Sequence, residues 1–211
     1  MEPFTTLTAT AAPLLRDDID TDAIIPSREM RSPSGQGLAE GLFAGWRYKA
    51  IGSRDPNPDF VLNQPVYAGA RILLTGANVG CGSSREHAVW ALAQYGIRAV
   101  IAPSFNPIFR GNCIANGVVP VSLPMETVST LASALEAAGQ PELTVDLEQQ
   151  LVVLPDGQQW SFDIEPEVRE ALMLGLDPID LTLRYRSRIQ DFRATDHDAR
   201  PWIYFRNAPS A

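Results

Sequence analysis

Short apolar runs and helix-period segments alternate through the middle of this chain. Residues 70–75 (Ala-Arg-Ile-Leu-Leu-Thr) have the length and composition of one buried strand, and a glycine-punctuated turn runs from Gly76 to Gly82. Apolar Ala88, Val89, Ala91, Leu92 and Tyr95 then recur at helical spacing, and Gly96 closes the segment. The same logic predicts a strand over 99–102, a helix over 107–115, a strand over 118–121 and an amphipathic helix over 125–138. Short strands follow at 143–147, 151–154 and 160–164, with Pro155-Asp156-Gly157 as turn chemistry between the last two. Helices over 166–174 and from 177 to about 193 close the pattern.

Upstream, a first strand and loop reach to about Pro26, followed by a glycine-, proline- and arginine-rich stretch from Ser27 to Pro65. A loop of that length is expected to serve a function or a partner. Strand-helix alternation gives an α/β class. The 211 residues read as a single domain, 1–211, with a core over about 15–122 and C-terminal strands and helices over about 125–195.

Composition narrows the function. Seventeen Lys and Arg against 25 Asp and Glu leave a net charge of -8, which argues against nucleic acid and anionic membranes as partners. No basic-apolar leader and no apolar stretch of membrane-spanning length stand out, so the expected location is cytoplasmic. Cys81 and Cys113 are the two cysteines. Two thiolates form neither a disulfide framework nor an iron-sulfur ligand set, so no metal is expected on this chain.

The candidate chemistry sits at Gly80-Cys81-Gly82-Ser83-Ser84-Arg85-Glu86-His87-Ala88, where the strand turns into the helix. Backbone N–H groups and the positive end of the helix dipole favour negative charge at such a junction. Arg85 would add a bidentate fork for a carboxylate. Ser83 with Glu86 three residues on also reads as a capping box, a purely structural use. Paired hydroxyls followed by Arg, Glu and His, behind a three-glycine turn, go beyond what capping needs.

Other uses fit less well. A hydrolase elbow would need Gly-x-Ser-x-Gly, and no glycine closes Gly82-Ser83-Ser84-Arg85. His87, four residues beyond Ser83, reads as a helix residue bonding locally, and His197 lies far along the chain. A dinucleotide turn would need a third glycine where Arg85 stands. Asp18, Asp20, Asp22 and Glu29 match positions 1, 3, 5 and 12 of a calcium loop, yet Ala23 and Pro26 occupy its sixth and ninth positions. Stabilising the turn is the better use of these carboxylates.

These residues carry a resemblance. The run from Gly80 to Ala88 resembles the signature of the aconitase superfamily swivelling domain, and within it the small-subunit family of 3-isopropylmalate dehydratase. Asp18-Ile19-Asp20-Thr21-Asp22-Ala23-Ile24-Ile25-Pro26 is similar to the family's Asp-Thr-Asp-x-Ile-Ile-Pro segment, with its glycine-rich Gly41-Leu42-Phe43 downstream. Ser104-Phe105, Ile108-Phe109, Asn112-Cys113, Asn116-Gly117 and Pro120 resemble its second strand-helix-strand block. The three blocks keep the family order and span most of residues 15–122.

The resemblance implies a swivelling β/β/α domain of mixed sheets flanked by helices. It implies a hydro-lyase of leucine biosynthesis, active only as a heterodimer with a large subunit that bears a 4Fe-4S cluster, acting on a small dicarboxylic acid. Ser83 would be the catalytic base, with Ser84, Arg85, Arg28 and Arg31 on the substrate and Gly80, Gly82, Asp20, Thr21, Asp22 and His87 supporting the turn. After the proline, the chain reads Ser27-Arg28-Glu29-Met30 where family members often carry an aromatic or aliphatic pair. That departure leaves open related hydratases acting on citraconate, dimethylmaleate or homoaconitate. A non-catalytic docking domain is the remaining alternative, and the intact Ser83-Ser84-Arg85 set argues against it.

Overall fold

Strand β1 (Thr6–Leu14) changes partner half-way along, and that change organises the chain. In the computed structural model, which describes residues 1–30, 36–83, 85–139 and 141–204, Thr6–Thr10 pair antiparallel with β5 (Glu142–Asp146). Ala11–Leu14 pair parallel with β2 (Ile72–Thr75). Beyond β2 lie β3 (Ala99–Ala102) and β4 (Val119–Ser122), also parallel. Beyond β5 lie the antiparallel β6 (Leu151–Val153) and β7 (Gln159–Ser161). The order is therefore β4-β3-β2-β1-β5-β6-β7 in one mixed, seven-stranded sheet.

The helices are α1 (Thr21–Ile24), α2 (Ala44–Arg47), α3 (Glu86–Tyr95), α4 (Pro107–Ala115), α5 (Met125–Ala138), α6 (Pro166–Leu174), α7 (Pro178–Leu183) and α8 (Arg186–Ala199). The α/β expectation, a mixed sheet flanked by helices, is borne out. Contacts divide the chain into two compact units, Met1–Gly175 and Leu176–Ala211.

Two apolar layers sandwich the parallel half of the sheet, because alternate residues of each strand face opposite sides. Leu73, Val100 and Ala102 face a core completed by Val89 and Leu92 of α3 and Phe109 and Cys113 of α4. Ile72, Leu74, Ala99 and Ile101 face the other core, filled by Val128, Leu131 and Leu135 of α5 and by Leu172 of α6. Parallel strands covered on both faces are apolar throughout, which is why β2 and β3 read as continuous runs rather than alternating ones.

The expected boundaries of α4, α5, α6 and β3 coincide with those observed. Two segments differ. The closing helix from 177 is two helices, α7 and α8, with a turn at Arg184 and Tyr185 that no glycine or proline announces. Within this second unit, Asp177 caps α7 by accepting from Asp180 N at 2.7 Å, and Asp196 accepts from Tyr204 Oη at 2.7 Å while pairing with Arg200.

The described part of the long stretch from Ser27 to Pro65 is a packed layer of short helical turns. Leu38, Leu42, Phe43, Phe60 and Leu62 are buried in the α3 side of the core. Trp46 stacks on Phe43 with ring centroids 5.6 Å apart, and Asn63 Nδ2 donates to Arg47 O at 2.6 Å and Asn57 O at 2.9 Å. Side-chain amides thus satisfy backbone that neither helix nor strand serves. Among the described residues, no helix is long and apolar enough to cross a membrane.

Leu131 is wholly buried on α5 against the sheet. Leu131→Ala is expected to lower unfolding free energy by about 2–5 kcal/mol, read from urea denaturation followed by circular dichroism.

Candidate active site

Parallel α/β sheets place their chemistry beyond the carboxyl ends of the strands, and here the loops after β1, β2 and β3 are laced together at that edge. After β1, Asp18 N donates to Ala77 O at 2.9 Å, and Asp17 Oδ1 accepts from Ala77 N at 2.7 Å. Asn78 Nδ2 reaches Asp18 Oδ1 at 2.7 Å. On the other side, Val79 N bonds Ser104 O at 3.2 Å, Asn106 N bonds Val79 O at 3.0 Å, and Ser104 Oγ accepts from Asn78 N at 2.8 Å. The turn after β2 is thereby clamped between its neighbours, with one-residue bridges from Asp20 to Cys81 and from Val79 to Phe105.

Gly80 is where this clamp admits no side chain. Its φ is +77°, and a Cβ there would lie 2.0 Å from Cγ of the buried Phe109. Phe109 is seated by Asn106, whose side chain caps α4 by accepting from Ile108 N at 3.0 Å and Phe109 N at 3.4 Å. Gly80 N donates to Ile19 O at 2.7 Å, and Thr21 N donates to Cys81 O at 2.9 Å. Asp20 caps α1 by accepting from Ala23 N at 2.6 Å. These bonds bring the Asp18–Pro26 segment against the Gly80–Ser83 turn, with Gly82 exposed beside it.

Ser83 lies exposed at the end of that turn, with its Oγ 3.5 Å from Oγ1 of the fully buried Thr21. The expected capping box with Glu86 is not formed. Glu86 is the first residue of α3, Arg85 is the cap residue with no side-chain cap bond, and Glu86 Oε1 accepts instead from Asn116 Nδ2 at 3.0 Å. The physical reason is the glycine-rich turn, which carries Ser83 out towards Thr21 before the helix begins. Asn116 Oδ1 also takes the Trp90 indole N–H at 3.0 Å, so α3 is pinned at its start to the end of α4. His87 packs its ring 4.7 Å from that of Trp90.

Arg85 does not stand free. Its Nη1 pairs with Asp22 Oδ1 at 2.6 Å and donates to Ser27 Oγ at 3.0 Å. Asp22 thus holds the guanidinium over the turn, and the Nη2 and Nε edges remain for a second carboxylate. Arg28 lies with Nε 3.5 Å from Glu29 Oε1, and Glu29 Oε2 pairs with Arg54 Nη2 at 2.6 Å. Ser84 and Arg31 lie outside the described residues. Sequence reasoning had passed over Ser27, Glu29 and Arg54 as partners; their links join residues 25 to 58 positions apart, which spacing along a chain does not reveal.

Burial pushes the Cys113 thiol far above its ordinary range, and burial with nearby Asp18 and Asp20 pushes Cys81 up as well. Among the described residues, no group of three or more His, Cys, Asp or Glu is arranged to hold a metal ion. An iron-sulfur cluster does not fit these residues, and no step is derived through one on this chain.

Comparison with known proteins settles the family. The aconitase C-terminal domain model matches residues 1–126, and the LeuD_N model matches residues 129–166. A 3-isopropylmalate dehydratase small subunit from Cupriavidus necator is 59% identical over 97% of this chain and 99% of its own. The chain belongs to the 3-isopropylmalate dehydratase small-subunit family. A second such subunit, from Methylibium petroleiphilum, is 49% identical over 96% of this chain and 97% of its own. The crystal structure of 3-isopropylmalate dehydratase from Methanocaldococcus jannaschii superposes with a TM-score of 0.63 at 26% identity, covering 90% of this chain and 99% of that one. The aconitase-type α/β fold expected for this family is therefore the fold observed.

Two outcomes check the site's construction. Gly80→Ala combines a disfavoured φ with overpacking against Phe109, so a loss of about 2–5 kcal/mol is expected in urea denaturation. Because a raised thiol pKa leaves less thiolate, Cys113 should stay unreactive towards Ellman's reagent in the folded protein and titrate fully in guanidinium.

Proposed function

We propose that this chain is the small subunit of a cytoplasmic heterodimeric hydro-lyase that interconverts 2-isopropylmalate and 3-isopropylmalate in leucine biosynthesis, through isopropylmaleate. The observation that carries the reading is Ser83, an exposed hydroxyl outside any helix cap, set beside Arg85 at the start of α3 in a family of dehydratase small subunits.

The difficult step is removing a weakly acidic C–H proton next to a carboxylate. Ser83 Oγ, as alkoxide or strongly polarised hydroxyl, takes that proton as the C–H electrons form the new double bond and hydroxide leaves the adjacent carbon. Returning water to the other carbon, with Ser83 giving the proton back, yields the isomer. A free serine is far too weak a base near neutral pH. Three features favour an oxyanion at this spot: the Thr21 hydroxyl 3.5 Å away, which can donate to it, the positive end of α3, and the charge of Arg85.

Arg85 grips one substrate carboxylate through Nη2 and Nε while Asp22 keeps its other edge in place. Ser84 orients the substrate, and Arg28 and Arg31 bind the second carboxylate. The departing hydroxide requires a Lewis acid, the contribution we assign to a 4Fe-4S cluster on the partner large subunit. Substrate would then close between the two chains.

The test is anaerobic turnover of 2-isopropylmalate, followed through the ultraviolet absorbance of isopropylmaleate, with this chain and a cluster-loaded large subunit together and apart. Turnover should require both chains. Ser83→Ala should lower kcat by about a thousandfold while the heterodimer still forms on gel filtration. Near-normal turnover of that variant would remove Ser83 from the role of base, and conversion of citraconate in preference to 2-isopropylmalate would reassign the substrate.

A further inference from the structure

Glu29 is a charged side chain with only 9% of its surface exposed, in the short turn that carries Arg28. Its two oxygens face two different arginines, Oε1 towards Arg28 Nε at 3.5 Å and Oε2 towards Arg54 Nη2 at 2.6 Å. Arg54 comes from a separate part of the chain, 25 residues on, and stays half exposed, with its guanidinium also 4.9 Å over the Tyr48 ring. Arg28, Glu29, Gly52 and Arg54 together line a cavity of about 220 Å³. Both guanidinium groups line that cavity, and their planar N–H edges suit a carboxylate of a ligand.

The burial of Glu29 depends on Gly41. A Cβ at Gly41 would lie 2.6 Å from Glu29 Cβ, 3.2 Å from its Cγ and 3.3 Å from Ile25 Cδ1. A methyl group there has no room unless Glu29 moves, so the glycine of the Gly41-Leu42-Phe43 stretch is what lets the carboxylate tuck beneath the arginines. Glu29 N also donates to Pro26 O at 2.8 Å, which fixes the backbone from which the side chain starts. The preceding Ser27 accepts from Arg85 at 3.0 Å, so this cluster adjoins the Ser83 turn. The Glu29 carboxylate, hydrogen-bonded to Arg54, raises the pKa of that guanidinium.

We propose that Glu29 is a positioning residue that sets Arg28 and Arg54 as one two-guanidinium wall for the second carboxylate of the substrate, with Gly41 making room for it. The inference rests on the function proposed above. It adds Arg54 as a binding residue and gives Glu29 and Gly41 a role in substrate affinity rather than in chemistry.

The experiment uses the heterodimer under the anaerobic assay with 2-isopropylmalate. Glu29→Gln, Arg54→Ala and Gly41→Ala should each raise KM about tenfold, with kcat reduced far less, because the groups at the reacting carbon are untouched. Glu29→Asp should recover part of the affinity. The double variant E29Q/R54A should be no worse than the poorer single variant, since both remove the same pairing. Melting temperature and gel filtration with the large subunit identify any variant that fails to fold, and the half-exposed Arg54 supplies one that leaves the packing intact. Wild-type KM in a folded Glu29→Gln or Arg54→Ala heterodimer would overturn the inference, as would a fall in kcat matching the rise in KM. A wild-type heterodimer that fails to turn over 2-isopropylmalate would instead overturn the functional reading, and this inference with it.

Discussion

Everything at the candidate site depends on the backbone clamp around the turn after β2. Three parallel strands end at one edge, and a free loop at each end would leave its N–H and C=O groups to water and its side chains unordered. Here the loops after β1 and β3 supply those partners from either side, so the middle turn is held by bonds to Asp18, Ile19 and Ser104 rather than by its own short span. The clamp closes only because Gly80 presents no side chain to Phe109. Packing density, not hydrogen bonding alone, therefore determines where Ser83 lies.

The clamp also explains how an acidic chain presents cations at this edge. With a net charge of -8, the molecule as a whole repels a dicarboxylate. The acids nearest the turn are each bound to a specific donor: Asp20 to a backbone N–H of α1, Asp22 to Arg85, Glu29 to Arg54. They act as supports that aim guanidinium edges and the start of α3. The fully buried Thr21 places its hydroxyl beneath Ser83 in the same economy of polar groups.

Much of this was legible in the sequence. Helix period and caps marked α4, α5 and α6 because each has an apolar stripe and a proline or glycine at its ends, and those signals are local. β3 was legible as an apolar run of strand length because parallel strands are buried on both faces. The split between α7 and α8 was not, since no breaker residue marks it. The capping box misled for a related reason: Ser83 and Glu86 have the right spacing, yet the turn geometry carries the hydroxyl away from the helix and gives Glu86 to Asn116.

The sequence by itself determined the α/β alternation, the strand-turn-helix that carries Ser83 and Arg85, and the family to which those motifs belong. These follow from periodicity, glycine placement and residue type, all of which act over a few residues. Only the tertiary structure decided that Thr21 lies beside Ser83, that Asp22 holds Arg85, and that Glu29 gathers Arg28 and Arg54 above Gly41. The contacts of Thr21 and Asp22 join segments about sixty residues apart because strands from distant parts of the chain end at one edge of the sheet, and the Glu29 cluster forms because the β1–β2 connection folds back on itself. No local pattern encodes such a meeting, because it is a property of the folded sheet and its packing.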